Sequence, residues 1–330
     1  MEISSPLFKL EIIGTDDVSI LKVNHHELLG KGTRDYVLSV REELLTNRSM
    51  KIPEDWDLDW NINLGPIWTP DELGTSVAAW ILPEFLHPLD TDTTRVAQAD
   101  DRGSAGVEWE NTNEAASLPT FSSELNGFKG MSFAASGSGD YLYSLDESGD
   151  GDLDFGTGDF AITLLAHFSG SIGTAEKTVF STDSSQQFSL GVQEISGNAS
   201  YKVYFGGSST TATVYVHSDP IILTVGRSGG NQFLRFSNQI SNDSSITGTK
   251  STNLSDSQQY FVGAKEDSSN DRLGEDGFDG EIYEMIFYNG TLSDSDRERI
   301  EGYLFHKYNT GDLHSTHPYK TNPPRTGAPK

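Results

Sequence analysis

The chain has 330 residues, of which 35% are apolar. At ~150 residues per domain, that suits two domains or one large β domain with extensions. Charge is the outlier: 49 acidic against 23 basic residues give −26, a surface that repels phosphate backbones and anionic membranes, so neither nucleic acid nor membrane is an expected partner. Zero cysteines exclude disulfides, thiolate metal sites and cysteine nucleophiles, and no run approaches the ~18 apolar residues of a membrane span.

In chain order, Met1–Pro6 has neither a basic nor an apolar leader segment, so no secretion signal is expected. Glu11–Ile13 and Val18–Val23 read as a hairpin around Gly14–Asp17. Tyr36–Leu45 reads equally as strand or helix. Lys51–Trp60, where Pro53 precedes alternating aspartates and aromatics, reads as an extended arm. Residues 1–60 therefore form a small β subdomain packed on its own chain, or an attachment arm that docks on a partner through added strands or through Trp56 and Trp60.

From about Ile67 the chain turns rich in Gly, Ser and Thr. Gln187–Val192, Tyr201–Phe205, Thr211–Val216, Pro220–Val225, Gln232–Phe236 and Glu281–Tyr288 are short apolar or alternating runs, punctuated by Ser196–Asn198, Gly206–Gly207 and Gly229–Gly230. Strands at ~8–12-residue spacing with no helices between them pair antiparallel, which predicts an all-β sandwich over residues 61–310. One helix is signalled near 293–308: Ser293 can cap it, Asp294 and Asp296 suit its positive end, and Asn309 or Gly311 ends it. It is expected to lie across the sandwich edge. Residues 311–330, with Pro318, Pro323, Pro324 and Pro329, read as an extended tail, surface-lying or mobile.

Phe155–Thr163, with Leu125–Gly127, Phe133 and Gly139–Leu142 upstream, resembles the strand segments of concanavalin A-like, laminin-G-type jelly-roll domains. Phe261–Ala264 and Phe278–Tyr288 resemble the closing strands, Leu292–Tyr308 the helix that often follows, and Asp312–Pro324 the tail of the variant found in phage and bacterial surface proteins. The resemblance spans roughly residues 67–324 and implies an antiparallel jelly-roll β-sandwich. It departs from the family at Gln98-Ala-Asp, where a tryptophan is usual, and it carries over no set of sugar ligands.

Three constellations bear on chemistry. Leu145–Asp154 holds five carboxylates in ten residues, with oxygen donors at alternate positions from Asp146 and Gly151 at the sixth, as in an EF-hand loop. Thr157 stands where the bidentate Glu should be. The segment is either a looser Ca²⁺ site built on Asp146, Asp150, Asp152 and Asp154, in the manner of laminin-G-like rim loops, or a solvated acidic turn. Glu281 and Glu284 evoke the paired carboxylates of jelly-roll glycosidases, but a spacing of three along a strand puts them on opposite faces, so no enzyme activity is expected. His25, His26, His314 and His317 are expected to be satisfied surface histidines; Tyr201, Tyr204, Tyr215, Trp109 and Tyr260 are available for sugar stacking, with no one set picked out.

These readings converge on a non-enzymatic phage virion protein, a capsid decoration or head spike, displaying a lectin-like domain. The expected partners are the major capsid protein or other virion proteins, host-surface glycans and further copies of the chain; the expected location is the virion surface, after assembly in the host cytoplasm. A tail-fibre adhesin or a bacterial extracellular lectin is the alternative.

Overall fold

The computed structural model describes the backbone of residues 2–5, 8–14, 19–23 and 26–32, then residues 67–326 apart from 112–116, 135–138, 145–152, 169–174, 183–187, 196–197, 206–207, 215–219, 239–252, 255–258, 266–276 and 311. The first four strands, β1 (Glu2–Ser5), β2 (Phe8–Gly14), β3 (Ser19–Val23) and β4 (His26–Gly32), make an antiparallel sheet in that order. The expected hairpin is present as Leu10–Gly14 paired with Val23–Ser19. Tyr36–Leu45, Trp56 and Trp60 lie outside the described residues.

Fifteen further strands follow in chain order. They are β5 (Val77–Leu89), β6 (Asp92–Asp101), β7 (Glu108–Glu110), β8 (Thr120–Leu125), β9 (Phe128–Phe133), β10 (Leu142–Ser144), β11 (Phe160–His167) and β12 (Lys177–Thr182). Then come β13 (Phe188–Ile195), β14 (Asn198–Phe205), β15 (Ser208–Val214), β16 (Ile221–Ser228), β17 (Asn231–Phe236), β18 (Tyr260–Val262) and β19 (Gly280–Asn289). One layer runs β15-β14-β13-β12-β18-β10-β7-β6, the other β8-β9-β19-β11-β16-β17. β5 belongs to both: its start pairs with β19, and from Ile81 onward it pairs with β6. The pairings between these strands are antiparallel, and the result is the expected β-sandwich.

Period-2 alternation builds the core between the layers. From β11 come Phe160, Ile162, Leu164 and Ala166; from β13 and β14 come Phe188, Leu190, Val192, Tyr201, Val203 and Phe205. Phe160 meets the Phe188 ring at 5.2 Å and Phe180 meets Phe287 at 5.4 Å, each such pair contributing about 0.5–1.5 kcal/mol beyond the area it buries.

The helix α1 (Asp294–Tyr308) starts where the sequence places it: the Ser293 hydroxyl accepts the Asp296 N–H, and Asn309, left-handed at φ 49°, ends it. Its position differs from expectation. Ile300, Tyr303, Leu304 and Tyr308 pack on Leu165, Ile222, Tyr283 and Ile286, so α1 covers the outer face of the β19 layer and not the sandwich edge. Two sides of that layer are apolar, and the second had to be buried under something. The segment after α1 closes on the helix: the His306 Nε2 pairs with the Tyr319 carbonyl at 2.7 Å, and a side chain on Gly302 would collide with Tyr319. Trp68 N–H donates to the Pro324 carbonyl at 3.0 Å, joining the two ends of the domain.

One buried acid makes a pH-dependent contribution. Asp140 Oδ2 accepts the Ala134 N–H at 2.8 Å, and burial pushes its carboxyl from 3.8 up to about 6. A group raised on folding contributes stability that is full below its unfolded pKa and lost as pH rises through the folded one. Asp140→Asn keeps the acceptor without the charge. It is expected to be about 1–2 kcal/mol more stable than the parent at pH 7.5, after discounting for solvent screening, and equal to it at pH 3.5. Thermal melts at the two pH values check this; a difference that does not change with pH refutes it.

Candidate functional site

Of the residues singled out for Ca²⁺, Asp146, Asp150 and Asp152 lie outside the described residues, as do Trp56 and Trp60. Asp154 is exposed. Its Oδ1 accepts the Gly156 N–H at 2.8 Å and its backbone carbonyl accepts from Asn289 at 3.3 Å. Among the described residues no three His, Asp or Glu side chains gather as metal ligands would.

The two glutamates of β19 correct the sequence reading. The register of β19 against β11 shifts at Leu165/Ala166, a bulge that places Tyr283 and Glu284 consecutively on the outer face. Glu281 and Glu284 therefore share a face despite their spacing of three. Glu284 is fully buried and accepts from Trp80 Nε1 at 2.7 Å, Lys307 Nζ at 2.9 Å and Tyr308 OH at 2.8 Å. Glu281 is held by His167 Nδ1 at 3.1 Å and by Tyr283 OH at 2.8 Å, and burial with the neighbouring Glu281 pushes the Tyr283 hydroxyl up to about 12. A carboxylate with every donor already placed and no solvent contact is a structural anchor. His317 is likewise no surface group: it is buried, bonded to Glu301 at 3.1 Å, and accepts the Tyr319 N–H at 3.2 Å. Tyr201, Trp109 and Tyr260 are core residues, Tyr204 is half-buried and donates to Glu176 at 2.7 Å, and Tyr215 lies outside the described residues.

Among the described residues, a concave groove lies elsewhere. β16 and β17 join through Gly229–Gly230, both at positive φ (56° and 75°), a two-residue turn that only glycine adopts cheaply twice in a row. Asp159 Oδ2 accepts from Gly229 N and from Thr291 Oγ1 and so ties this turn to the chain entering α1. Along β17, Gln232, Leu234 and Phe236 point inward, which leaves Asn231, Phe233 and Arg235 on the outer face. These three, with Ser228, Leu292, Ser293, Asp294 and Arg297, line a groove of about 380 Å³ between the hairpin and the first turn of α1. Arg235 lies over the Phe233 ring at 5.5 Å and pairs with Asp294; Arg297 reaches the same carboxylate at 3.7 Å. The Arg235 hydrogen bond and the two guanidinium charges hold the Asp294 carboxyl below its ordinary value. An aromatic ring beside a fixed carboxylate, an amide and hydroxyls can stack on an apolar sugar face and satisfy its hydroxyls. Sequence reasoning passed over Phe233 and Asn231; their strand was legible, but nothing local says that the start of a helix about 60 residues on lies opposite them.

The chain matches no protein-family model and no curated protein sequence. Among solved structures it is similar to a GH54 α-L-arabinofuranosidase soaked with a cyclic sulfate inhibitor, with TM-score 0.51 and 10% identity over 72% of this chain and 64% of that one. It is also aligned with the binding domain of botulinum neurotoxin DC in complex with SialylT (TM-score 0.47, 11% identity, 71% of this chain, 52% of that one). The binding domain of botulinum neurotoxin serotype D aligns at TM-score 0.46 and 10% identity, over 70% of this chain and 52% of that one. The chain thus spans less than two thirds of these proteins' lengths, and at 10% identity the first likeness is one of fold: a β-sandwich shared with a carbohydrate-active protein.

Proposed function

We propose that the chain is a non-enzymatic, lectin-like module that binds glycans in the β17–α1 groove. The observation that supports it is the convergence there of Phe233, Asn231, Ser293 and Asp294, four groups from two elements distant in sequence. The pinned state of Glu284 speaks against its use as a glycosidase acid, since a general acid needs to reach substrate. Phe233→Ala is expected to weaken binding of the best glycan about tenfold or more while the melting temperature stays within a degree or two. Titration calorimetry of variant and parent, after an array screen has found the ligand, reads both. Equal affinities would remove the groove from the function.

The wider reading is that a phage particle displays this domain as a capsid decoration or head spike, with residues 1–60 as the attachment segment and the major capsid protein as partner. Support is compositional: a cysteine-free chain folds alike in reducing and oxidising surroundings, and −26 favours solubility on an exposed surface. Trp56→Ala with Trp60→Ala is expected to lower incorporation into particles severalfold without shifting the melt of the free protein. Unchanged incorporation would move attachment to another segment.

A further inference from the structure

We propose that the groove between β17 and α1 selects an uncharged sugar ring over an acidic one; this rests on the glycan-binding reading above and narrows its ligand class. At first sight two arginines suggest the opposite, an anion site. Their charges are already matched. Arg235 is paired with Asp294, while Arg297 lies 2.5 Å from Glu301, 3.7 Å from Asp294 and 3.8 Å from Glu298. Two guanidinium groups thus face three carboxylates.

Exposure decides which charge a ligand meets. The Asp294 side chain is 74% exposed, against 27% for Arg235 and 14% for Arg297. Arg235 and Arg297 also line the groove, but with their charge engaged by carboxylates, so the acceptor that a ligand meets most openly is Asp294. Hydroxyl hydrogens suit it and a second carboxylate or sulfate does not. The chain as a whole, at −26, adds a long-range repulsion for anions that salt screens over about 8 Å at physiological strength. The remaining lining completes a sugar site of modest size. Phe233, with Arg235 over one side of its ring, lends the groove apolar ring surface, Asn231 an amide at the exposed turn and Ser228 a hydroxyl, whereas the Ser293 hydroxyl already donates to the Asp296 carboxylate and accepts the Asp296 N–H. At about 380 Å³ the groove falls near the lower end of small-ligand sites, which matches one or two pyranose rings and not a long chain.

The test uses the full chain against an array carrying neutral glycosides (galactose, glucose, mannose and N-acetylglucosamine termini) and acidic ones (sialic acid, glucuronic acid and 6-sulfogalactose termini). The best ligand is then titrated at 50 and 500 mM NaCl. The expected result is a neutral ligand whose Kd changes less than about twofold between the two salts, weakened about tenfold by Phe233→Ala and severalfold by Asn231→Ala. Asn231 is exposed at the turn, so its variant keeps the test informative if Phe233→Ala proves poorly folded. An acidic ligand whose binding collapses in salt, yet still depends on Phe233, would overturn the ligand class and leave the groove as a lectin site. Glycan binding that ignores both substitutions would place the site elsewhere. No binding to any array member would overturn the glycan reading itself, and this inference with it.

Discussion

Lys307→Met is expected to lower stability by roughly 3–5 kcal/mol, a fall in melting temperature on the order of 10 °C for a domain of this size. The reason is what it leaves behind. Lys307 Nζ is buried between α1 and the β19 layer, 2.9 Å from a Glu284 carboxylate that has no exposure to solvent, and it lies 4.9 Å from the Phe128 ring centre. Removing the ammonium leaves a carboxylate in an apolar layer with neutral donors such as Trp80 and Tyr308, and it strips Glu84, a second carboxylate 3.3 Å from the same ammonium, of its partner. Burial and the Glu284 charge push the Tyr308 hydroxyl well up, so it remains a donor throughout the accessible pH range. The double variant Glu284→Gln/Lys307→Met removes both charges and keeps an acceptor for the indole and the phenol. It is expected to recover most of the loss, because a matched buried pair contributes far less net stability than breaking one of its halves costs. Denaturant melts of the three proteins check this. A double variant as unstable as the single one would mean that packing of the lysine stem, and not the orphaned charge, sets the cost.

Asp101→Ala is the second large effect, at roughly 2–4 kcal/mol. One carboxylate there serves three backbone amides: Oδ1 accepts from Trp80 N at 2.5 Å and Gly103 N at 2.7 Å, and Oδ2 accepts from Val107 N at 3.1 Å. This is the point where β5 passes from β19 to β6, and the loop after Asp101 lies so close to Ala78 that a side chain on Gly103 would overlap its backbone. Water has little room to replace the lost acceptor, so the three N–H groups would be left unpaired. Asp101→Asn keeps the oxygen that serves Trp80 and Gly103 and turns an N–H₂ toward Val107. It also sheds a charge that burial disfavours, since the Asp101 carboxyl is pushed above its ordinary value. Its cost is expected near 1 kcal/mol. Urea midpoints rank the two variants, and an Asn variant as damaged as the Ala one would refute the account. Trp80 is thereby held by two carboxylates, Asp101 at its backbone and Glu284 at its indole, and the two predictions probe one junction from opposite ends.

The strands β13 to β17 and β19, their antiparallel type and the helix start were legible in the sequence because they rest on local physics. Alternation along Gln232–Phe236 reports one buried face, Gly229–Gly230 can only be a turn, and Ser293 accepts a first-turn amide while Asp294 and Asp296 suit the positive end of a helix whatever lies around it. Three things were decided only in three dimensions. Glu281 and Glu284 share a face because a bulge, paid for by the packing of Tyr283 against α1, interrupts the period of two that the spacing argument assumed. The helix lies on a sheet face because Leu165, Ile222 and Ile286 alternate with equally buried neighbours, a two-sided strand pattern that does not say what covers its second side. The groove joins Phe233 to Asp294 across about 60 residues, and no local signal carries that distance; it exists because the β16–β17 hairpin and the entry to α1 are both bonded to Asp159. Local energetics write the elements into the chain, whereas the site is a product of which elements the shared core brings side by side.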